Sequence, residues 1–150
     1  MNEETPVNKD DAARAHKELE AKLSQLPRIN IGALLMPAVW GPAHGQWVSI
    51  FFYPLWLLAD TCFTNAVVYA NPLAIILAVV VFLGTAAITV VYASTAGRLA
   101  YIRVAGKVPV EKFLAKERVW VVVSALIALL FIGFATWYNL IIRIPAGLVT

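Results

Sequence analysis

One carboxylate stands in a long stretch of chain that has no other charged side chain. Between Ile29 and Gly97, Asp60 is the only Asp, Glu, Lys or Arg, and its neighbours are apolar, aromatic, small or neutral polar residues. A charge near the centre of a bilayer costs roughly 2.5 kcal/mol or more on insertion scales, so such residues usually face a bundle interior or a water-filled cavity. Asp60 is therefore the first candidate for chemistry, either ion or proton handling or a hydrogen bond to a neighbouring helix.

Further polar residues fall on the helical face that carries Asp60. Steps of four and seven residues keep side chains on one side of an α-helix, because eleven residues make about three turns. The candidates at these steps are Ser49, Tyr53, Asp60, Thr64 and Asn71. A polar stripe with one acid predicts a helix that faces a cavity, a pore or neighbouring subunits.

His44 is the remaining candidate for proton or ion chemistry. It lies in a turn rich in Gly and Pro, and its simplest interpretation is an interfacial histidine bonded to the backbone or to a lipid headgroup. His44, Asp60 and Cys62 show no metal-ligand spacing, so no metal site and no cofactor are predicted. Phosphate-binding glycine loops, zinc-protease histidine pairs and nucleophile elbows are all missing. We therefore expect no catalytic residues and no enzyme activity.

The composition places these residues in a membrane. The chain is 61% hydrophobic and 14% charged, whereas soluble domains have about 45–50% apolar and about 25% charged residues. A membrane-spanning helix needs about 20 apolar residues. The sequence therefore predicts one all-α integral membrane domain over residues 29–150, with three transmembrane helices at about 47–70, 72–97 and 119–142.

Two further elements precede the spans. The sequence of residues 1–28 predicts a disordered start followed by a cytoplasmic amphipathic helix. This helix is expected to lie on the membrane surface, to pack against its own bundle, or to bind a protein partner through residues 1–26. Residues 29–45 carry no charge but are interrupted by Gly and Pro. Broken backbone at membrane depth survives only when it is buried in protein or lines a cavity. This segment is expected to be a re-entrant or interfacial half-helix that ends in a turn from Gly41 to Gly45.

Small residues repeat every four positions in the second span. They are Thr85, Thr89, Ala93 and Gly97. Such a stripe lets helix backbones approach closely, and we favour packing within one subunit over an oligomer contact. The basic segment 98–118, with a short amphipathic helix after Pro109, is expected to be cytoplasmic. The N-terminus would then lie inside and the C-terminus outside a multi-pass protein of the cytoplasmic membrane.

A second threading of the same residues is possible. Residues 31–58 can form one long kinked span, followed by a second span from 66 to 97. Asp60 to Asn65 would then lie at the outer surface, and Asp60 would be an ordinary hydrated carboxylate.

Several residues carry a resemblance. Asn30-Ile31-Gly32-Ala33, then Val39-Trp40-Gly41 and His44-Gly45, and later Val110, Phe113 and Trp120, are similar in order and spacing to a pattern in small bacterial membrane proteins. Those proteins carry an Asn-Trp-Gly-Ala-Phe stretch, an Ile-Trp-Gly stretch and a His-Gly turn before the first full span. Here Ile31 replaces an aromatic residue and the hairpin between the two parts is longer. The resemblance implies the topology and draws attention to the turn from Trp40 to Gly45, and it implies no catalytic residues.

These observations favour a small oligomeric channel or transporter for an ion, proton or small solute, with Asp60 facing the interior. The alternative is a non-transporting accessory, assembly or scaffold protein, or a lipid-binding protein that uses the broken segment as a pocket. The expected partners are the lipid bilayer and further copies of the chain. Nucleic acid is not expected, because no basic patch is interleaved with aromatic residues.

Overall fold

Every regular element in the described part of the chain is helical. The computed structural model describes residues 9–104 and 107–147, so the predicted disordered start at residues 1–8 lies outside the described residues. The elements in chain order are α1 (Lys9–Leu23), α2 (Ile31–Leu35), α3 (Pro37–Ala43), a 3-10 helix (Trp47–Phe51), α4 (Phe52–Tyr69), α5 (Pro72–Arg103), α6 (Val110–Tyr138) and a π-helical turn (Asn139–Arg143).

Three segments are long and apolar enough to cross a membrane. They are Trp47–Tyr69, Pro72–Arg103 and Val110–Arg143. Many of their large apolar side chains point outward, as expected for helices whose solvent is lipid rather than water. The prediction of an all-α membrane protein with three spanning helices is confirmed.

The second and third long helices extend beyond their predicted ends. α5 continues past Gly97 to Arg103, because the intervening residues include neither Gly nor Pro and most of them favour helix. α6 begins directly after Pro109, whose fixed φ suits a helix start. The expectation of a loop over 98–118 that holds a separate short helix is wrong, since most of this segment forms the ends of α5 and α6.

The segment before the first span is broken into two short helices. Asn30 caps α2 by accepting a hydrogen bond from the backbone N–H of Ala33 at 2.9 Å. Met36 separates α2 from α3 with an extended φ of −141°, because the following proline disfavours helical backbone at the residue before it. The broken half-helix is confirmed, but the turn is shorter than predicted. α3 runs to Ala43, and only His44 and Gly45 turn the chain.

The first two spans form a helical hairpin. α4 ends at Tyr69, and Asn71 caps α5 by accepting from the backbone N–H of Ala74 at 2.8 Å. Asp60 therefore lies within a helix. The second threading is wrong, because residues 59–65 continue α4 and do not separate a span over 31–58 from one over 66–97. The two-residue turn falls at the Asn-Pro step because Asn caps helices and Pro is tolerated in their first turn.

The most tightly packed part of the molecule lies where the broken segment meets α5 and α6. Its buried apolar residues are Leu26, Ala33, Trp40, Ala93, Ala96, Ala100, Tyr101, Val110 and Phe113. The alanines on α5 leave room for α2 and α3 to approach that helix closely. Leu19 and Leu23 of α1 pack against this core, so the apolar stripe of the N-terminal helix contacts its own bundle.

Candidate functional site

A buried glutamate on α6 gathers three side chains of the broken segment. The Oε2 atom of Glu117 accepts hydrogen bonds from Asn30 Nδ2 at 2.7 Å and from Trp40 Nε1 at 3.0 Å. Its Oε1 atom lies 2.9 Å from His44 Nε2. Glu117 is only 7% exposed. We call these four residues the Glu117 cluster.

Local helix geometry brings these donors to one point. Trp40 and His44 are four residues apart at the end of α3, so they share a face, and their rings stack with centroids 4.0 Å apart. Trp120, one turn beyond Glu117 on α6, contacts the His44 ring edge-on at 5.2 Å. Asn30 reaches Glu117 from its capping position at the start of α2. Each donor is thus positioned by a helix end or by ring stacking.

The proton positions in the cluster follow from the partners of His44. Its Nδ1 atom lies 2.7 Å from the carbonyl oxygen of Trp40. A carbonyl only accepts, so Nδ1 carries a hydrogen. The contact between Nε2 and Oε1 then holds one further proton. Through these contacts the cluster fixes the broken segment on α6.

Two glycines permit the close approach of the segments around the cluster. A Cβ atom on Gly32 would lie 2.8 Å from Trp40 Cδ1, and one on Gly41 would collide with the side chain of Ser49. Such distances are far below van der Waals contact, so a larger residue would separate the packed elements. These glycines and Asn30, Trp40 and His44 are among the residues that carry the sequence resemblance.

A second feature is an apolar groove bordered by the broken segment, α4 and α6, with Phe82 of α5 completing its wall. Its volume is about 440 Å3. The lining residues are Leu35, Met36, Pro37, Ala38, Phe52, Tyr53, Trp56, Leu57, Ala59, Asp60, Phe63, Phe82, Ala128, Phe131, Ile132, Ala135 and Thr136. Asp60 is the charged residue among them.

Asp60 is hydrogen-bonded to the π-helical turn that follows α6. Both of its carboxylate oxygens lie 3.1 Å from Asn139 Nδ2, and Arg143 Nη1 lies 3.5 Å from Asn139 Oδ1. Asn139 follows Glu117 by 22 residues and begins the turn directly after α6, which corresponds to about 33 Å of helix. The Glu117 cluster and the carboxylate of Asp60 therefore lie near opposite ends of this helix.

The predicted polar stripe does not stay together as one surface. Tyr53 and Asp60 line the groove. Ser49 is instead buried and donates to the Gln46 carbonyl at 2.7 Å, because the chain at Ser49 is a 3-10 helix with about three residues per turn. Thr64 is also buried, and Asn71 caps α5 beyond the end of α4.

The remaining predicted site residues serve the packing of the broken segment or of α5. His44 joins the Glu117 cluster, at the opposite end of α6 from the carboxylate of Asp60. The small-residue stripe lies within the chain, since Thr85, Thr89 and Ala93 are buried. Asn30 approaches this stripe, donating from its backbone N–H to the Ala93 carbonyl at 3.0 Å. A Cβ on Gly97 would lie 3.4 Å from the Asn30 side chain.

Glu117 is the residue that sequence reasoning missed. It lies in the basic segment 98–118, where an acid among many Lys and Arg is expected to be a solvated charge. Its spacing carries a signal, because Phe113, Glu117 and Trp120 follow at steps of four and three and share one helical face. An acid on the apolar face of a helix predicts a buried partner.

Among the described residues, no group of three or more His, Cys, Asp or Glu side chains is placed to hold a metal ion.

Comparison of the chain with protein-family models, curated proteins and solved structures gave no match. The functional argument therefore depends on the geometry of the groove and of the Glu117 cluster.

Proposed function

We propose that this chain is a membrane protein that binds a lipid acyl chain in the groove between the broken segment, α4 and α6. The volume and the lining of the groove are the observations that support this proposal. Its volume of about 440 Å3 falls within the range of roughly 300–1,000 Å3 typical of small-molecule sites. Its walls are almost entirely aliphatic and aromatic, which suits a hydrocarbon chain and offers little to a hydrated solute.

The position of the groove supports a lipid as the occupant. Two of its walls belong to Trp47–Tyr69 and Val110–Arg143, segments that are long and apolar enough to cross a membrane. In a bilayer, an apolar groove on such helices borders on acyl chains rather than on water. A lipid therefore reaches the groove sideways from the membrane.

The Glu117 cluster contributes by shaping one wall. Met36, Pro37 and Ala38 line the groove, and they lie between Asn30 and Trp40, both of which donate to Glu117. Holding both ends of this stretch fixes the wall before a ligand arrives. Such preorganisation lowers the ordering cost of binding.

The proposal is tested by filling the groove. We expect Ala135→Trp to remove most of the phospholipid that co-purifies with the protein in mild detergent, as measured by mass spectrometry of extracted lipid. The matched control is Leu130→Trp on the same helix, because Leu130 is 72% exposed and does not line the groove. Equal lipid retention by both variants, with both still folded, would overturn the proposal.

A second candidate function is transport of an ion, proton or small solute by an oligomer. It is favoured by one observation, that Asp60 lines the groove as its charged residue. Transport predicts a flux into proteoliposomes under an imposed gradient, and Asp60→Asn should reduce it. The absence of any flux, or a flux unchanged in Asp60→Asn, would exclude a transport role for this carboxylate.

A further inference from the structure

Asp60 lines the groove and is connected through Asn139 to Arg143 in the turn that follows α6. We call these three residues the polar end. We propose that this end binds the headgroup of a phospholipid that carries a primary ammonium group, with the ammonium at Asp60 and the phosphate at Arg143. This inference rests on the proposed function, since the acyl chain of the same lipid would occupy the groove.

The apolar and polar parts lie on one face of the helix. Ala128, Ile132, Ala135, Asn139 and Arg143 follow one another at steps of three or four residues along α6 and the turn after it. Side chains at these steps form one stripe. The first three line the groove and the last two connect to Asp60. This stripe is therefore apolar at its first three positions and polar at its last two, which suits an amphipathic molecule.

Asp60 has the chemistry to bind an ammonium group. A carboxylate can accept about four hydrogen bonds, and the donor recorded for Asp60 is the single amide nitrogen of Asn139. His16 pairs with Glu20 and His44 with Glu117, and neither of these ion pairs includes Asp60. A carboxylate beside an apolar wall is costly unless a cation pairs with it. A ligand ammonium supplies that cation and three donors.

Arg143 has the complementary chemistry. It contacts Asn139 only at 3.5 Å, through one nitrogen, so most of its five N–H donors are free of Asn139. The planar guanidinium suits a phosphate, which it binds through paired hydrogen bonds. One amide side chain thus separates an acid from a base, in the way a short linker separates the ammonium from the phosphate in an aminophospholipid headgroup.

The closing experiment compares headgroups at constant acyl chains. Delipidated protein in detergent is mixed with equal amounts of dioleoyl phosphatidylethanolamine, phosphatidylcholine and phosphatidylglycerol, and bound lipid is counted by native mass spectrometry. We expect about tenfold preference for phosphatidylethanolamine over phosphatidylcholine, because a quaternary ammonium cannot donate the charged hydrogen bonds that Asp60 accepts.

Two variants separate the parts of the site. Asp60→Asn keeps the side-chain shape and should abolish the preference for phosphatidylethanolamine while acyl binding continues. Arg143→Gln should weaken all three lipids, because all three carry a phosphate. Equal binding of the three lipids by the native protein, or a preference that survives in Asp60→Asn, overturns the headgroup assignment.

The groove-filling variant distinguishes the two proposals. If Ala135→Trp removes binding while the native protein shows no headgroup preference, the acyl groove stands and the headgroup site is wrong. If Ala135→Trp binds lipid as the native protein does, the proposed function has failed, and the headgroup assignment fails with it.

Discussion

At the scale of single residues, Glu117 has the largest consequences for the structure. Its carboxylate contacts Asn30, Trp40 and His44, which lie at the start, in the second helix and in the closing turn of the broken segment, far from Glu117 in sequence. Removing one partner of a buried, hydrogen-bonded ion pair is far more costly than removing an exposed charge, because the other polar groups remain buried and unpaired.

Glu117→Ala should therefore lower the free energy of unfolding by about 3–5 kcal/mol. The matched control is Glu111→Ala, an exposed acid in the first turn of the same helix, whose loss should cost less than about 1 kcal/mol. Denaturant unfolding in detergent micelles measures both. Equal losses for the two variants would show that the carboxylate of Glu117 does not hold the broken segment.

The glycines around the cluster give a second residue-scale prediction. Gly41→Ala should destabilise the protein by about 1–3 kcal/mol, because the new methyl group collides with Ser49 at a packed contact. Gly84→Ala should be neutral or stabilising, since nothing lies within 4 Å of that position and Ala favours helix over Gly. Thermal unfolding of the two variants provides the comparison, and a stable Gly41→Ala protein would contradict the packing described.

At the scale of elements, the broken segment depends on its cap as well as on its contacts. Asn30 and Asn71 both cap helices by accepting from the backbone N–H three residues ahead. Asn30 also donates to Glu117, whereas Asn71 is exposed at the hairpin turn. Comparing substitutions of Asn30 and Asn71 therefore separates the free energy of helix capping from that of the buried hydrogen bond to Glu117.

Asn30→Ala should cost more than Asn71→Ala by about 1.5–3 kcal/mol, the value of a hydrogen bond to a charged group. Hydrogen exchange should show faster opening of residues 31–43 in Asn30→Ala, because the segment loses its link to α6. Unchanged exchange there would mean that Trp40 and His44 hold the segment without help from Asn30.

The elements were largely predictable from the sequence, whereas their partners were not. Gly and Pro mark the break at Met36 and the hairpin turn at Asn71, and apolar length marks the three spans. Trp40 and Asn30, which donate to Glu117, lie 77 and 87 residues away from it in the chain. A local sequence pattern cannot predict a contact over such a separation. The polar stripe with Ser49 was misjudged because its spacing assumes α-helix where the chain adopts a 3-10 helix.

At the scale of the whole molecule, the order of the spanning helices determines which of their ends lie on the same side of the membrane. The hairpin turn at Ala70 and Asn71 and the connection between α5 and α6 must lie on opposite sides of the membrane if α5 crosses it. The excess of Lys and Arg at the ends of α5 and α6 favours the cytoplasm for that connection. The hairpin turn is then expected outside.

Cysteine labelling of intact cells tests this orientation. Cys62 is the single thiol and is buried, so the native protein should react slowly with a membrane-impermeant reagent. In a Cys62→Ala background, Leu73→Cys beside the hairpin turn should react rapidly, whereas Lys112→Cys should react only after the cells are opened. The reverse pattern would invert the orientation.

The binding of an acyl chain in the groove is tested most directly by a phospholipid with a photoactivatable group in its acyl chain. After illumination of the protein in nanodiscs, we expect crosslinks to concentrate on groove residues such as Leu57 and Phe131 and to disappear from them in Ala135→Trp. Crosslinks spread equally over exposed positions outside the groove, such as Leu77 and Val80, and unaffected by Ala135→Trp, would contradict a specific lipid site.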